Sequence, residues 1–311
     1  MTLGLLLGIF FLGMALRLYN LDGDSLWLDE ILTARRAQMD LSSAVAMMAS
    51  GEGGTNATQV PLTYIVTHFL VRLFGHSDFI IRLQAMLFGS LSILLAYKLG
   101  QTLWTRGVGL IGAFLLAVNA YHIGYSQEAR HYALMVFLAL LSLIFLLRAF
   151  QKNGIAPWIG FILCTSLSLY NHHFAFLFLP AEVIFGTVVI VENWSSQRRQ
   201  KHRAPGVHPR AALSGPAMQA LMFCGSLALI AVTYIPWLSA LQVSTSRLVS
   251  PEVVSTSVAS LRSSLSFLYT VLTDYTGTQS AALLLWVMVF LVGLASSGGK
   301  QALLILSLIH I

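Results

Sequence analysis

Charge is what this chain of 311 residues lacks most: only 10% of its residues are Asp, Glu, Lys or Arg. Hydrophobic residues make up 57% and the mean hydropathy is +0.77. A soluble domain carries about 25% charged residues, so a water-soluble core is excluded and a polytopic membrane protein is indicated. Cysteine is nearly absent as well. Cys164 and Cys224 both fall inside apolar runs, so a disulfide framework is not indicated. Acidic residues number twelve against eighteen Lys and Arg, a net charge of +6. Such a balance would suit a nucleic-acid partner if the cations formed a patch. Their distribution gives them a different task.

Apolar windows bounded by polar residues predict spans near 3–19, 80–99, 108–125, 132–149, 156–172, 174–191, 217–238 and 280–297. With the N-terminus inside, ten Lys and Arg and one acid, Glu192, face the cytoplasm, for +9. Eight Arg and ten acids lie outside, for −2, and Glu182 is within a span. Basic short inner loops set orientation in this way, so the charge needs no nucleic acid. Long outer loops are expected at 20–79 and 239–279, with a short turn at 126–131. The basic stretch 193–216 reads as a disordered cytoplasmic connector between a module over 1–192 and further spans over 217–311. The chain closes in an apolar run about half the length a span needs, so it is expected to continue beyond Ile311.

The first outer loop has structure of its own. Residues 29–49 are loosely helical, Gly51 to Thr58 form a flexible hinge, and 62–74 is a short apolar helix carrying His68 and Arg72. That helix is too short to span and reads as interfacial. Together the two surface helices would form a lid. The expected fold is all-α: a polytopic transmembrane helical bundle with interfacial helices in its first outer loop.

Three polar clusters fall on the outer side. Asp29 and Glu30 follow the first span, with Trp27 beside them as an interfacial anchor. Glu128, Arg130, His131 and Tyr132 occupy the turn after the third span, and His172 and His173 the turn after the fifth. Charge at a helix turn in a membrane protein costs desolvation unless it is paired or used. Arg17, a turn from the end of the first span, reads as a snorkelling anchor or a site residue, and Arg35 and Arg36 as ligands for lipid headgroups or substrate. Glu182, deep in the sixth span, must face a cavity, be protonated or be paired.

The series Arg17-Leu, Ser25-Leu-Trp-Leu-Asp-Glu30, Pro61-Leu-Thr-Tyr64, Leu73-Phe-Gly75, Arg82-Leu83, Tyr125-Ser-Gln-Glu-Ala-Arg-His-Tyr132 and Leu169-Tyr-Asn-His-His-Phe174 resembles polyprenol-phosphate-sugar glycosyltransferases of the GT-C superfamily. The similar groups are the dolichyl-phosphate-mannose protein mannosyltransferases and the bacterial aminoarabinose transferases. The resemblance covers roughly residues 5–190. It implies a multi-pass enzyme of a bacterial inner membrane, serving cell-envelope glycosylation with its active site on the extracytoplasmic face. A sugar would pass, with inversion, from a polyprenyl-phosphate donor to an acceptor lipid, glycan or protein.

Phosphate is a stable leaving anion, so the chemistry needs a base for the acceptor and cations for the departing phosphate. The resemblance assigns Asp29 as the catalytic acid of the first loop, Glu30 as its orienting group or understudy, and Glu128 as the acid of the second. Arg130, whose fork suits phosphate, is the donor-binding candidate with His131, Tyr132, His172 and His173. The two adjacent histidines also leave a divalent metal as an alternative. The rival from another class is a transporter or flippase of a lipid-linked or small substrate, which would show charged or broken helices at the midplane.

Overall fold

Backbone amides find no water in lipid, so long apolar segments must pair their own N–H and C=O groups, which a helix does within one segment. A computed structural model describes residues 1–50, 60–151, 154–203 and 215–238. Among these it has eleven α-helices and no strand. They are α1 (Thr2–Leu18), α2 (Leu28–Gln38), α3 (Leu41–Ser50), α4 (Leu62–Phe74), α5 (Asp78–Leu103) and α6 (Arg106–Val118). After these come α7 (Ala120–Gln127), α8 (Tyr132–Gln151), α9 (Ala156–Leu169), α10 (Phe178–Arg203) and α11 (Pro216–Tyr234). The architecture is the expected all-α helical bundle of a multi-pass membrane protein.

Among the described residues, four stretches are long and apolar enough to cross a membrane: α5, α8, His173–Arg199 in and before α10, and Pro216–Trp237 around α11. The predicted span 108–125 is instead two helices, α6 and α7, bent by 57°. Local chemistry makes the break. The Asn119 Oδ1 accepts from the His122 N–H at 2.8 Å and so starts a new helix. The carbonyls that α6 leaves open are taken by Arg17: its Nη2 donates to Leu116 O at 3.0 Å and its Nη1 to Ala117 O at 3.1 Å. Arg17 is fully buried, so it is no snorkelling anchor; it closes the end of a neighbouring helix. In return, the Gln127 Nε2 at the end of α7 donates to Tyr19 O, just past α1, at 2.7 Å.

The α5–α6 crossing depends on glycine. A Cβ on Gly109 would stand 2.5 Å from Tyr97 O, and one on Gly100 would stand 2.8 Å from Gly109 Cα. Without side chains the two backbones can touch, a common route to tight packing in membranes. The main apolar core lies between α8, α9, α10 and α11, around Phe161, Ile144 and Phe223. Ala44 and Met48 of α3 belong to it, and Ala34 and Ala37 of α2 are also buried, so these helices pack against the bundle rather than float above it.

Helix α4 has the expected boundaries and only thirteen residues, too few to cross. Its Thr63, Tyr64, Thr67 and His68 are buried, and His68 Nδ1 is 2.9 Å from Ala37 O on α2. Helix α10 continues to Arg203, well into the stretch expected to be a disordered connector. Its Gln, Lys and Arg residues are good helix formers, and cations suit a helix C-terminus. Residues 204–214, the glycine-rich hinge, the second outer loop and the span at 280–297 lie outside the described residues. Glu182 is paired: Ser142 Oγ donates to its Oε1 at 2.7 Å, and Ser142 in turn meets Thr165 Oγ1 at 2.8 Å, joining α10 to α8 and α9.

Candidate active site

Helix α2 begins just after Trp27, so consecutive residues of its first turn face different ways. Glu30 turns inward and is fully buried, while Asp29 stays partly exposed. The Glu30 carboxylate takes two donors from the Arg82 fork, Nε to Oε1 at 2.9 Å and Nη2 to Oε2 at 2.7 Å. It also accepts from the Ala129 N–H at 2.7 Å and, more weakly, from the Trp27 N–H at 3.4 Å. Arg82 spends its remaining nitrogen on Leu21 O and Asp24 O, both at 2.9 Å. One ion pair therefore holds the end of α1, the start of α2, helix α5 and the turn at 128–131 in register. Burial alone would raise the Glu30 carboxyl, but the bonds from Arg82 and Ala129 outweigh it and hold it below its usual range.

That clamp presents the turn after α7 to Asp29. Arg130 Nη2 stands 3.1 Å from Asp29 Oδ2, and the guanidinium lies over the Trp27 ring at 5.8 Å from its centroid. The Arg130 Nε is buried and finds no hydrogen-bond partner among the described residues. Glu128 sits on the other flank, where burial and the charge of Glu30 push its carboxyl up. It borders an open hollow of about 370 Å³ whose wall is Ala120, Tyr121, Gly124 and Tyr125 of α7.

Behind Arg130 the rings form a ladder. Tyr125 meets Tyr132 at 4.8 Å, Tyr132 meets His131 at 4.5 Å, and His131 stacks on His172 at 3.9 Å. Burial, with Arg130 and the neighbouring histidines, lowers His131 well below the normal histidine range and His172 to about 4. His131 Nε2 and His173 Nε2 are buried without partners among the described residues. His172 Nδ1 accepts from the Phe174 N–H at 3.0 Å, so this histidine is tied into its own turn.

All eight residues expected from the sequence thus lie on or directly behind one surface, with Glu30 set beneath it. Among the described residues, no three His, Cys, Asp or Glu side chains are arranged to hold a metal ion. Three supports were not foreseen as such. Arg82 was read only as an external arginine and part of a motif. Asn171, nearly fully buried, accepts from Thr63 Oγ1 at 2.7 Å and donates to His131 O at 2.9 Å, linking α4 to both histidine turns. The guanidinium of the buried Arg36 lies over Tyr64, 5.2 Å from the ring centroid. The sequence signal for Asn171 and Arg82 was their presence inside the motifs, with no cue to which partners they take.

The described residues form a multi-pass α-helical bundle with two ion pairs, Glu30–Arg82 and Asp29–Arg130, just past its first helix. Residues 58–208 match the family model described as dolichyl-phosphate-mannose-protein mannosyltransferase, which supports the resemblance to GT-C glycosyltransferases. The match contains Arg82, Glu128 to Tyr132 and Asn171 to His173, and it begins after Asp29 and Glu30. No curated protein matches the chain.

Proposed function

We propose that this chain is a membrane glycosyltransferase that moves a sugar from a polyprenyl-phosphate donor to an acceptor at the extracytoplasmic face, by a single displacement with inversion. Asp29 takes the proton from the acceptor hydroxyl as that oxygen bonds to the sugar's anomeric carbon. The bond from the anomeric carbon to the phosphate oxygen breaks, and its electron pair leaves on polyprenyl phosphate. Arg130 holds that phosphate with its fork, and His131, His172, His173 and Tyr132 complete the anion site. Glu30 is a positioning residue: its oxygens are saturated, so it has no free lone pair aimed at a substrate, and it acts through Arg82 and the Ala129 amide. Glu128 faces the acceptor side.

The observation that carries this reading is the 3.1 Å pairing of Asp29 with Arg130, backed by buried histidines with open nitrogens. The acceptor oxygen and the departing phosphate lie on opposite faces of one reacting carbon, so the donor enters between these two groups, its phosphate taking over Arg130 and freeing Asp29 for the acceptor proton. Among the described residues, the bent α6–α7 pair and the buried Glu182 of the span His173–Arg199 are features a transporter or flippase would share. Transfer of radiolabel from a panel of polyprenyl-phosphate sugars, beginning with the mannose donor, tests the proposal in proteoliposomes. Movement of intact donor across the bilayer without release of polyprenyl phosphate would favour the transporter instead.

A further inference from the structure

The hollow beside Glu128 has a composition opposite to that of the phosphate clamp. Its five lining residues, Ala120, Tyr121, Gly124, Tyr125 and Glu128, recur at spacings that share one face of α7 and its end. Two aromatic rings stand a turn apart on the wall, one carboxylate closes the end, and no Lys or Arg is among the described residues that line the space. At about 370 Å³ it falls in the size range of small-ligand sites, roughly 300–1,000 Å³. A carboxylate repels phosphate and accepts hydrogen bonds, and its two oxygens can take two neighbouring hydroxyls. Aromatic faces cover the C–H face of a sugar ring. The ladder from Tyr125 through Tyr132 to His131 then runs directly from this hollow to the proposed anion site.

We infer that the hollow is the acceptor subsite and that its ligand is a sugar, the terminal hexose or amino sugar of a glycan whose hydroxyl is glycosylated. This rests on the glycosyltransferase reading above and adds the acceptor class to it. A peptide hydroxyl fits the hollow less well. A peptide that binds by strand addition needs unpaired backbone groups to bind along, and the wall here is a helix whose amides bond within it. Glu128 orients the acceptor ring from the side away from the phosphate, so the two carboxylates divide the work: Asp29 removes the proton and Glu128 positions the sugar that bears it.

Gly124 makes the inference testable without disturbing the fold. A Cβ built there meets nothing within 4 Å, so a side chain enters the hollow rather than the protein. Leucine is also a better helix former than glycine, which favours folding of the variant. Gly225 on α11 is likewise open and exposed, and Gly225→Leu is the matched control. Binding of methyl α-mannoside and methyl glucosaminide to the full chain in nanodiscs is read by saturation-transfer NMR, with a Ser/Thr-rich peptide as the third probe. The expected result is a glycoside signal in the parent and in Gly225→Leu that Gly124→Leu loses. In transfer assays with dolichyl-phosphate mannose, Gly124→Leu should raise the glycoside KM by about ten-fold or more, the size of a steric change in a pocket.

Three results would overturn the inference: no glycoside signal in the parent, equal signal in all three proteins, or a signal from the peptide alone. A parent that binds glycosides through the hollow but neither hydrolyses nor transfers from any lipid-phosphate sugar would instead sink the glycosyltransferase proposal. The two failures are therefore distinguishable.

Discussion

Glu30 and Arg82 form a buried pair whose energetic role can be worked out bond by bond. Replacing Glu30 with Gln keeps the shape but leaves one acceptor oxygen where there were two. If that oxygen serves Arg82 Nε and the Ala129 N–H, the new NH₂ points at Arg82 Nη2, donor against donor. The guanidinium is then a buried charge without its counter-ion, which costs about 3–5 kcal/mol. Arg82→Met leaves the carboxylate in the same position, with a similar cost. The double variant Glu30→Gln/Arg82→Met has no orphaned charge; the amide oxygen still accepts from the Ala129 N–H, and only the carbonyls of Leu21 and Asp24 must find other partners, about 1–3 kcal/mol. The cycle should therefore show a coupling energy of about 3 kcal/mol or more. Cys164 is buried and Cys224 exposed, so in a Cys224→Ser background the unfolding of detergent-solubilised protein is followed by labelling of Cys164. Additive single effects, or single effects under about 1 kcal/mol, would refute the clamp, since they are the size of an exposed pair. The pH dependence has a definite sign. The Glu30 carboxyl is held below its usual range, so its contribution is present at neutral pH and is lost on acidification through that lowered value.

Asp29→Asn should lower turnover by about 10²–10⁴-fold while donor binding persists, measured as kcat against donor KM; unchanged turnover removes Asp29 from the base role. Arg130→Lys keeps the charge and loses the fork; a lost charge-assisted hydrogen bond is worth about 1.5–3 kcal/mol, so donor KM should rise roughly ten- to hundred-fold. His131 and His172 are held neutral by burial, and a bound phosphate would favour their protonated forms. Polyprenyl phosphate, as product inhibitor, should therefore bind more tightly as pH falls from about 7 to 6, and binding independent of pH would argue against the histidine pocket. Asn171→Leu should destabilise by about 1–3 kcal/mol through the orphaned Thr63 hydroxyl and His131 carbonyl, and should weaken donor binding with Arg130 intact.

Membrane residence, helical class and the grouping of Asp29, Glu128 and Arg130 were legible in the sequence because each depends on local pattern. Hydropathy over about 20 residues marks a helix in lipid, and polar residues gather at the turns where water is near. The boundaries of α4 and the start of α8 followed from the same signals. What one residue does next to its neighbour was not legible. Asp29 and Glu30 are adjacent and chemically alike, yet one faces the site and the other is sealed beneath it, because a helix turns about 100° per residue and only the packed position of α5 decides which side is inside. Arg17 reads as a terminal anchor until the end of α6 is brought against it, a hundred residues away in sequence. The break at Asn119 needs that same contact, since an apolar run gives no sign that its carbonyls will be capped from outside. Periodicity records the solvent each segment prefers; the partners of buried polar groups are set by which segments meet, and that is a property of the tertiary structure alone.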